Sequence, residues 1–319
     1  MSRIGLITNP NSGPKHGARE SAALVDTAAR HLIPAVATQT EDDIVDALAS
    51  FARAGVDVLA VHGGDGTVDS VLTVLRNNDP FKTEPVLALI PGGTTNMTHA
   101  DVGLRRKGAK ALDHLARQCQ DGLPWDRVVE RRPARISRDD GHIPFYGFFI
   151  ATAAIPRVIR ATRSRLHNRG LTGWRSEALA LLWSLWRLLG GRVHEDPVMH
   201  PDTLAYALDD GDWQDVQAVI LLATTLERLI LGLRPAPPEG SLGVAALTWP
   251  YRRLTARLPG FLRGRQDSGD LTRDLGRSTA TRLRLRLSCE YTVDGELFPP
   301  PRGGELELTA AEPARFLVL

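Results

Sequence analysis

The chain has 319 residues, 43% apolar and 24% charged, the balance of a soluble globular protein long enough for two domains. Nearly all the positive charge behind its formal net charge of +2 is arginine, but no motif or aromatic platform for nucleic acid accompanies it. Two cysteines, Cys119 and Cys289, without zinc-type Cys/His spacing, argue against a disulfide framework and fit a reducing cytoplasm.

Short apolar runs alternate with helical patterns over the first 128 or so residues. RIGLIT reads as a strand, followed by the turn NPNSGPKHG and the helical pattern ARESAALVDTAARHL. PAVATQT is a second strand, and EDDIVDALASFARAG a helix with acids in its first turn. VDVLAV has the continuous apolar character of a buried parallel strand and ends at GGDGT. The helix VDSVLTVLRNN and the strand-turn PVLALIPGGTTN come next. Repeated strand, glycine turn and helix predict an α/β domain, a parallel sheet with flanking helices. Ligands of such sheets bind outside the carboxyl ends of the strands, where the three turns should meet.

From about Val129 the pattern changes. YGFFIATAA, TLAYALDD, DVQAVILLAT and SLGVAALTW read as strands. TRLRLRLSCEYTVDGELF places Leu283, Leu285 and Leu287 on one face and Arg282, Arg284 and Arg286 on the other. A mainly antiparallel β-sandwich domain is expected over residues 129–319, after an α/β nucleotide-binding domain over 1–128, with the C-terminal tail free to pack back on the first domain. RSEALALLWSLWRLLGG is a helix of roughly 20–25 Å, too short to span a bilayer. No run approaches 18 uninterrupted apolar residues, and MSRIGLITNPNSG lacks the apolar segment of a signal peptide, so any lipid contact is expected to be peripheral.

The chemistry concentrates in the turns. Gly63-Gly64-Asp65-Gly66-Thr67 lacks both the Gly-Lys-Ser/Thr of a P-loop and the G-x-G-x-x-G dinucleotide spacing. Glycine lets backbone N–H groups approach an anion, and a carboxylate among them needs a cation or a proton transfer to be useful. Asn9-Pro10-Asn11-Ser12-Gly13 and Pro91-Gly92-Gly93-Thr94-Thr95-Asn96 close two other strands with further donors.

In this order and spacing, NPNSG, GGDGT and PGGTTN resemble the diacylglycerol kinase catalytic-domain family, which includes bacterial diacylglycerol kinases, sphingosine kinases and ceramide kinases; VDGE, Val293 to Glu296, extends the resemblance across the chain. The resemblance implies an NAD-kinase/diacylglycerol-kinase-like fold, with ATP held between the α/β domain and a β-sandwich domain. It implies Mg²⁺ and a lipid alcohol as acceptor, of diacylglycerol, ceramide or sphingoid type. Carried over by motif, Asn9, Pro10, Asn11, Ser12 and Gly13, with Gly64, Asp65, Gly66, Thr67, Val68, Asp69 and Ser70, cradle the nucleotide; Thr94 lies beside its phosphates and Thr38 touches it. Asp65 and Glu296 fall on the two acidic positions, either of which serves as base in some members. A structural Mg²⁺ site is implied at Glu239, with Ala236 and Ser241 as backbone partners, although Glu239 stands where an aspartate is usual.

Other departures are Asp69-Ser70 in place of Asn-Glu, Met97 after Asn96 in place of an aspartate, and His62 in place of a small residue. They keep a catalytically silent nucleotide- or lipid-binding relative open beside an ATP-dependent lipid kinase. An NAD kinase-like enzyme is the other alternative, against which NPNSG and PGGTTN weigh. His194, Glu195, Asp196 and His200 read as a solvated loop rather than a metal site. Arginines 157, 160, 163, 165, 169 and 175 suit an anionic membrane surface, so a cytoplasmic, peripherally associated protein is expected; its oligomeric state is left open.

Overall fold

The computed structural model describes residues 2–13, 17–93, 96–167, 195–226, 241–251, 271–272 and 275–319, the side chains of 163–167 excepted. The chain divides into two compact units, Met1–Arg131 with Glu312–Leu319, and Arg132–Ala311.

The first unit runs β1 (Ile4–Thr8), α1 (Gly17–Arg30), β2 (Ala35–Ala37), α2 (Glu41–Arg53), β3 (Val58–Gly63), α3 (Asp65–Asn78), β4 (Val86–Pro91), α4 (Met97–Val102), α5 (Gly108–Gln118) and β5 (Val128–Arg131), and is completed by the last strand of the chain, β17 (Ala314–Leu317). The sheet order is β2-β1-β3-β4-β17-β5, parallel except where β5 runs against β17. The uninterrupted apolar runs of β1 and β3 are buried throughout, as strands covered on both faces must be. The helices bury one stripe each: α2 turns Ile44, Ala47, Leu48 and Phe51 inward, at helical spacing. Its N-terminus is closed by a capping box, the Thr40 hydroxyl accepting from the Asp43 N–H and the Asp43 carboxylate from the Thr40 N–H. The helix after GGDGT begins at Asp65, earlier than the apolar pattern suggests, because the Thr67 and Val68 N–H groups already bond to the Gly64 carbonyl.

The second unit contains β6 (Ala134–Arg138), β7 (Phe145–Gly147), β8 (Phe149–Ala153), α6 (Ala154–His167), β9 (Asp202–Leu208), β10 (Gln214–Thr224), β11 (Leu242–Thr248), β12 (Leu275–Ala280), β13 (Arg282–Arg286), β14 (Tyr291–Val293), β15 (Glu296–Phe298) and β16 (Glu305–Ala310). They form one large, curled antiparallel sheet in the order β15-β14-β8-β10-β9-β13-β16-β6-β7, with β11 and β12 branching from β10. β10 pairs with β9 up to Ala218 and with β8 from Ile220, and a register irregularity at that point bends the strand. The alternation of β13 holds: Leu283 and Leu285 enter the core, while Arg284 and Arg286 lie over the Trp213 ring. The Trp-bearing segment RSEALALLWSLWRLLGG lies outside the described residues; among those described, no helix is long and apolar enough to cross a membrane.

Candidate active site

In the first unit the strands β1, β3 and β4 are adjacent and parallel, so their three turns emerge at one sheet edge. Glycine lets them touch. A Cβ on Gly93 would lie 2.5 Å from the Gly64 Cα, one on Gly13 2.7 Å from the Gly92 carbonyl oxygen, and one on Gly92 2.6 Å from His62 Nε2. Gly13 also has φ +77°, a backbone region that other residues enter only with strain.

Hydrogen bonds tie the same turns together. The Asn9 N–H donates to the His62 carbonyl at 3.0 Å, and Asn9 Nδ2 to Thr67 Oγ1 at 3.0 Å. Asn9 also folds its own turn, its carbonyl and side-chain oxygens accepting from the Ser12 and Asn11 N–H groups. The Gly92 N–H donates to the Gly63 carbonyl at 2.8 Å, and the Asn96 side chain bonds both the N–H and the carbonyl of Gly93. Thr38, buried at the end of β2, donates its N–H to the Thr8 carbonyl. Val68 is buried, so only its backbone can face a ligand, whereas Asp69 and Ser70 are half-exposed. Thr94 lies outside the described residues.

Asp65, 5% exposed, occupies the centre of this interlock. Its Oδ2 accepts the Met97 N–H at 2.8 Å and its Oδ1 the Thr98 N–H at 3.0 Å, with His99 Nδ1 3.7 Å from Oδ1. His62, fully buried behind the turns, shares a 2.8 Å hydrogen bond between Nδ1 and Thr8 Oγ1. Burial, and secondarily His99, push its imidazole down to about 4, so it is neutral near pH 7. The first turn of α3 carries no side-chain cap, unlike that of α2. A helix N-terminus without a side-chain cap, set beside glycine turns, is a setting in which backbone N–H groups can meet an anion.

The acidic motif of the second unit is a hairpin turn. Asp294 and Gly295 have φ +47° and +93°, the positive pair that a two-residue type I′ turn requires, and Val293 pairs with Glu296. The Asp294 carboxylate is buried and accepts the N–H groups of Phe148 at 2.6 Å and Phe149 at 3.0 Å. Glu296 is exposed. Ser241 is half-buried, but Ala236 and Glu239 lie outside the described residues, and no group of three potential ligands among those described could hold a metal. Asp196 folds its own loop by accepting the Val198 and Met199 N–H groups.

Sequence patterns assign no role to Asp294, Asn96, His99 or the buried His62. A signal existed for Asp294: Asp-Gly between strand-forming residues marks a tight hairpin turn. Nothing local points to His99, which approaches Asp65 across more than thirty residues of chain.

A parallel sheet with three glycine turns at one edge defines an α/β domain. Residues 3–123 match the family model of the diacylglycerol kinase catalytic domain, and the resemblance read from the motifs is thereby shown for this span. The chain is also 29% identical over 118 residues to a "Putative lipid kinase" of Streptococcus pneumoniae serotype 4, a match covering 36% of this chain and only 39% of that protein. The solved structure of a diacylglycerol kinase from Bacillus anthracis str. Sterne is similar over 99% of this chain and 96% of its own, with a TM-score of 0.60 at 18% identity. A further structure from that organism gives 0.63 at 19% identity, over 100% and 97%. At these identities the structural likeness establishes the fold: an α/β domain followed by a curled antiparallel sheet. Over residues 3–123 the chain is thus similar to diacylglycerol kinase catalytic domains, and it matches only about two fifths of the length of that curated relative.

Proposed function

We propose that the protein is a Mg²⁺-dependent kinase that transfers the γ-phosphate of ATP to the hydroxyl of a lipid alcohol. The observation that carries this reading is the meeting of three glycine turns beside the uncapped first turn of α3. In the proposed site the Asn9–Gly13 turn, through the Gly13 N–H, and the start of α3 at Asp65 and Gly66 border the phosphates, and Thr38 borders the nucleotide. ATP supplies the phosphoryl group, and its Mg²⁺ offsets phosphate charge that no P-loop lysine is present to balance. Of the two candidate bases, Glu296 has the exposed carboxylate, while both oxygens of Asp65 already accept backbone N–H groups. We assign to Glu296 the acceptance of the hydroxyl proton as the oxygen bonds to phosphorus and ADP leaves.

A lipid acceptor calls for peripheral docking of a cytoplasmic protein on a membrane. In the basic run proposed for that contact, Arg157 is held within its own unit by Asp202 at 2.6 Å and by the Val198 and His200 carbonyls, and Arg160 pairs with Glu290. Purified protein incubated with radiolabelled Mg-ATP and a panel of diacylglycerol, monoacylglycerol, ceramide, sphingoid base and NAD tests the function. Label on a lipid is expected; label on NAD and on no lipid overturns the proposal.

A further inference from the structure

We infer that Asp65 is a positioning residue, whose carboxylate holds the chain at Met97 and Thr98, just past Asn96, against the GGDGT turn and so sets the spacing of the nucleotide cradle. The inference deepens the kinase reading above and rests on it for the identity of the ligand. Three observations carry it. Both carboxylate oxygens are engaged by consecutive backbone N–H groups, Met97 and Thr98, on the segment immediately after the PGGTTN turn. The side chain is 5% exposed, so an acceptor hydroxyl would have to enter its closed surroundings to give it a proton. The two turns that it joins are otherwise in bare backbone contact, Gly93 against Gly64, with the Gly92 N–H to Gly63 carbonyl bond alongside. No side chain at those glycines can maintain their separation; the carboxylate does so from behind. An amide at position 65 keeps one acceptor and turns an N–H₂ group toward the second backbone donor.

Asp65→Asn and Gly93→Ala test this together in the full-length protein. Gly93→Ala forces the same two turns apart and leaves the carboxylate chemically intact. Hydrogen exchange at the Met97 and Thr98 amides needs no ligand and reads the hold directly; it is expected to accelerate in Asp65→Asn. The affinity for Mg-AMP-PNP, by calorimetry, is expected to fall in both variants. Residual turnover of Asp65→Asn should keep the wild-type acid limb of its pH profile, because the proton acceptor is still present. Unchanged amide exchange overturns the inference. So does an Asp65→Asn enzyme with wild-type AMP-PNP affinity whose acid limb has vanished, since that pattern belongs to a base. If Asp65→Asn does not fold, Gly93→Ala decides: wild-type AMP-PNP affinity there shows that turn spacing does not matter. A wild-type protein that binds no AMP-PNP overturns the kinase reading instead, and amide exchange still decides whether Asp65 holds the turn.

Discussion

Each unit contains an Asp-Gly pair whose buried carboxylate forks across two consecutive backbone N–H groups far away in sequence. In the first, Asp65 holds Met97 and Thr98; in the second, Asp294 holds Phe148 and Phe149. The residue after the glycine differs. Thr67 turns inward and accepts from Asn9, whereas Glu296 points to solvent. An acid in a motif is thus not automatically a reacting group: the first turn has spent its carboxylate on its own geometry, and the second has both a clamp and an exposed acid. The largest effect should come from the exposed one. Glu296→Gln is expected to lower kcat at saturating Mg-ATP by 10²–10⁴-fold, the usual range for loss of a general base, while ATP affinity and unfolding midpoint stay close to wild type. Steady-state kinetics with the identified lipid checks this, and wild-type turnover would return the base to other groups.

Asp294→Ala separates clamp from acid in the opposite sense. It leaves the Phe148 and Phe149 N–H groups without their acceptor, Phe148 in a fully buried position. Unsatisfied donors of this kind cost about 1–3 kcal/mol each, so a loss of about 2–6 kcal/mol is expected, read as a lower denaturation midpoint with an unchanged m-value. A stability loss below about 1 kcal/mol would mean that water replaces the carboxylate and that the turn is not clamped.

A third contrast is titratable. Behind the first turn lies His62, buried and pushed down to about 4; among the described residues no histidine stands behind the hairpin of the second. In the unfolded chain this imidazole takes a proton near 6.5, so between 6.5 and about 4 the unfolded state binds the proton and the folded state does not. The His62 contribution to stability is intact above 6.5 and declines as pH falls toward 4, by up to roughly 3 kcal/mol. Chemical denaturation at about pH 7 and about pH 4.5 for wild type and His62→Gln should show a smaller pH dependence in the variant. Equal slopes would place the acid sensitivity elsewhere.

How much of this the sequence discloses depends on the range of each interaction. The parallel sheet was legible because β1, β3 and β4 are short apolar runs, each ending in a glycine turn, and both signals are local. The alternation of Leu283 and Leu285 with arginines likewise disclosed an antiparallel strand with one dry face. The site was legible as a set of turns but not as a division of labour. Asp65 meets its partners 32 and 33 positions away, and Asp294 meets Phe148 across 146. Spacing along the chain carries no information about which carboxylate oxygen finds which N–H. Charge was misleading in a related way: Arg157 stands first in a basic run, yet it is anchored to Asp202 and two carbonyls contributed by a distant loop and strand.

The smallest effect should belong to an ion pair that touches the hairpin from outside. Arg160 on α6 meets Glu290, the residue immediately before β14, and their side chains are 62% and 34% exposed. At that exposure water and salt screen the attraction, and two long side chains lose freedom in forming the pair, so a coupling of about 0.2–1 kcal/mol is expected. A double-mutant cycle of Arg160→Gln and Glu290→Gln, with urea denaturation at low and high salt, measures it and should show it shrinking as salt rises. The same Arg160→Gln protein should bind anionic vesicles almost as well as wild type, since the charge removed is one already partly neutralised by Glu290. A coupling as large as the Asp294 effect would show the exposed pair to be part of the clamp. Removal of vesicle binding by this single change would show instead that Arg160 leaves Glu290 for a lipid phosphate at the membrane.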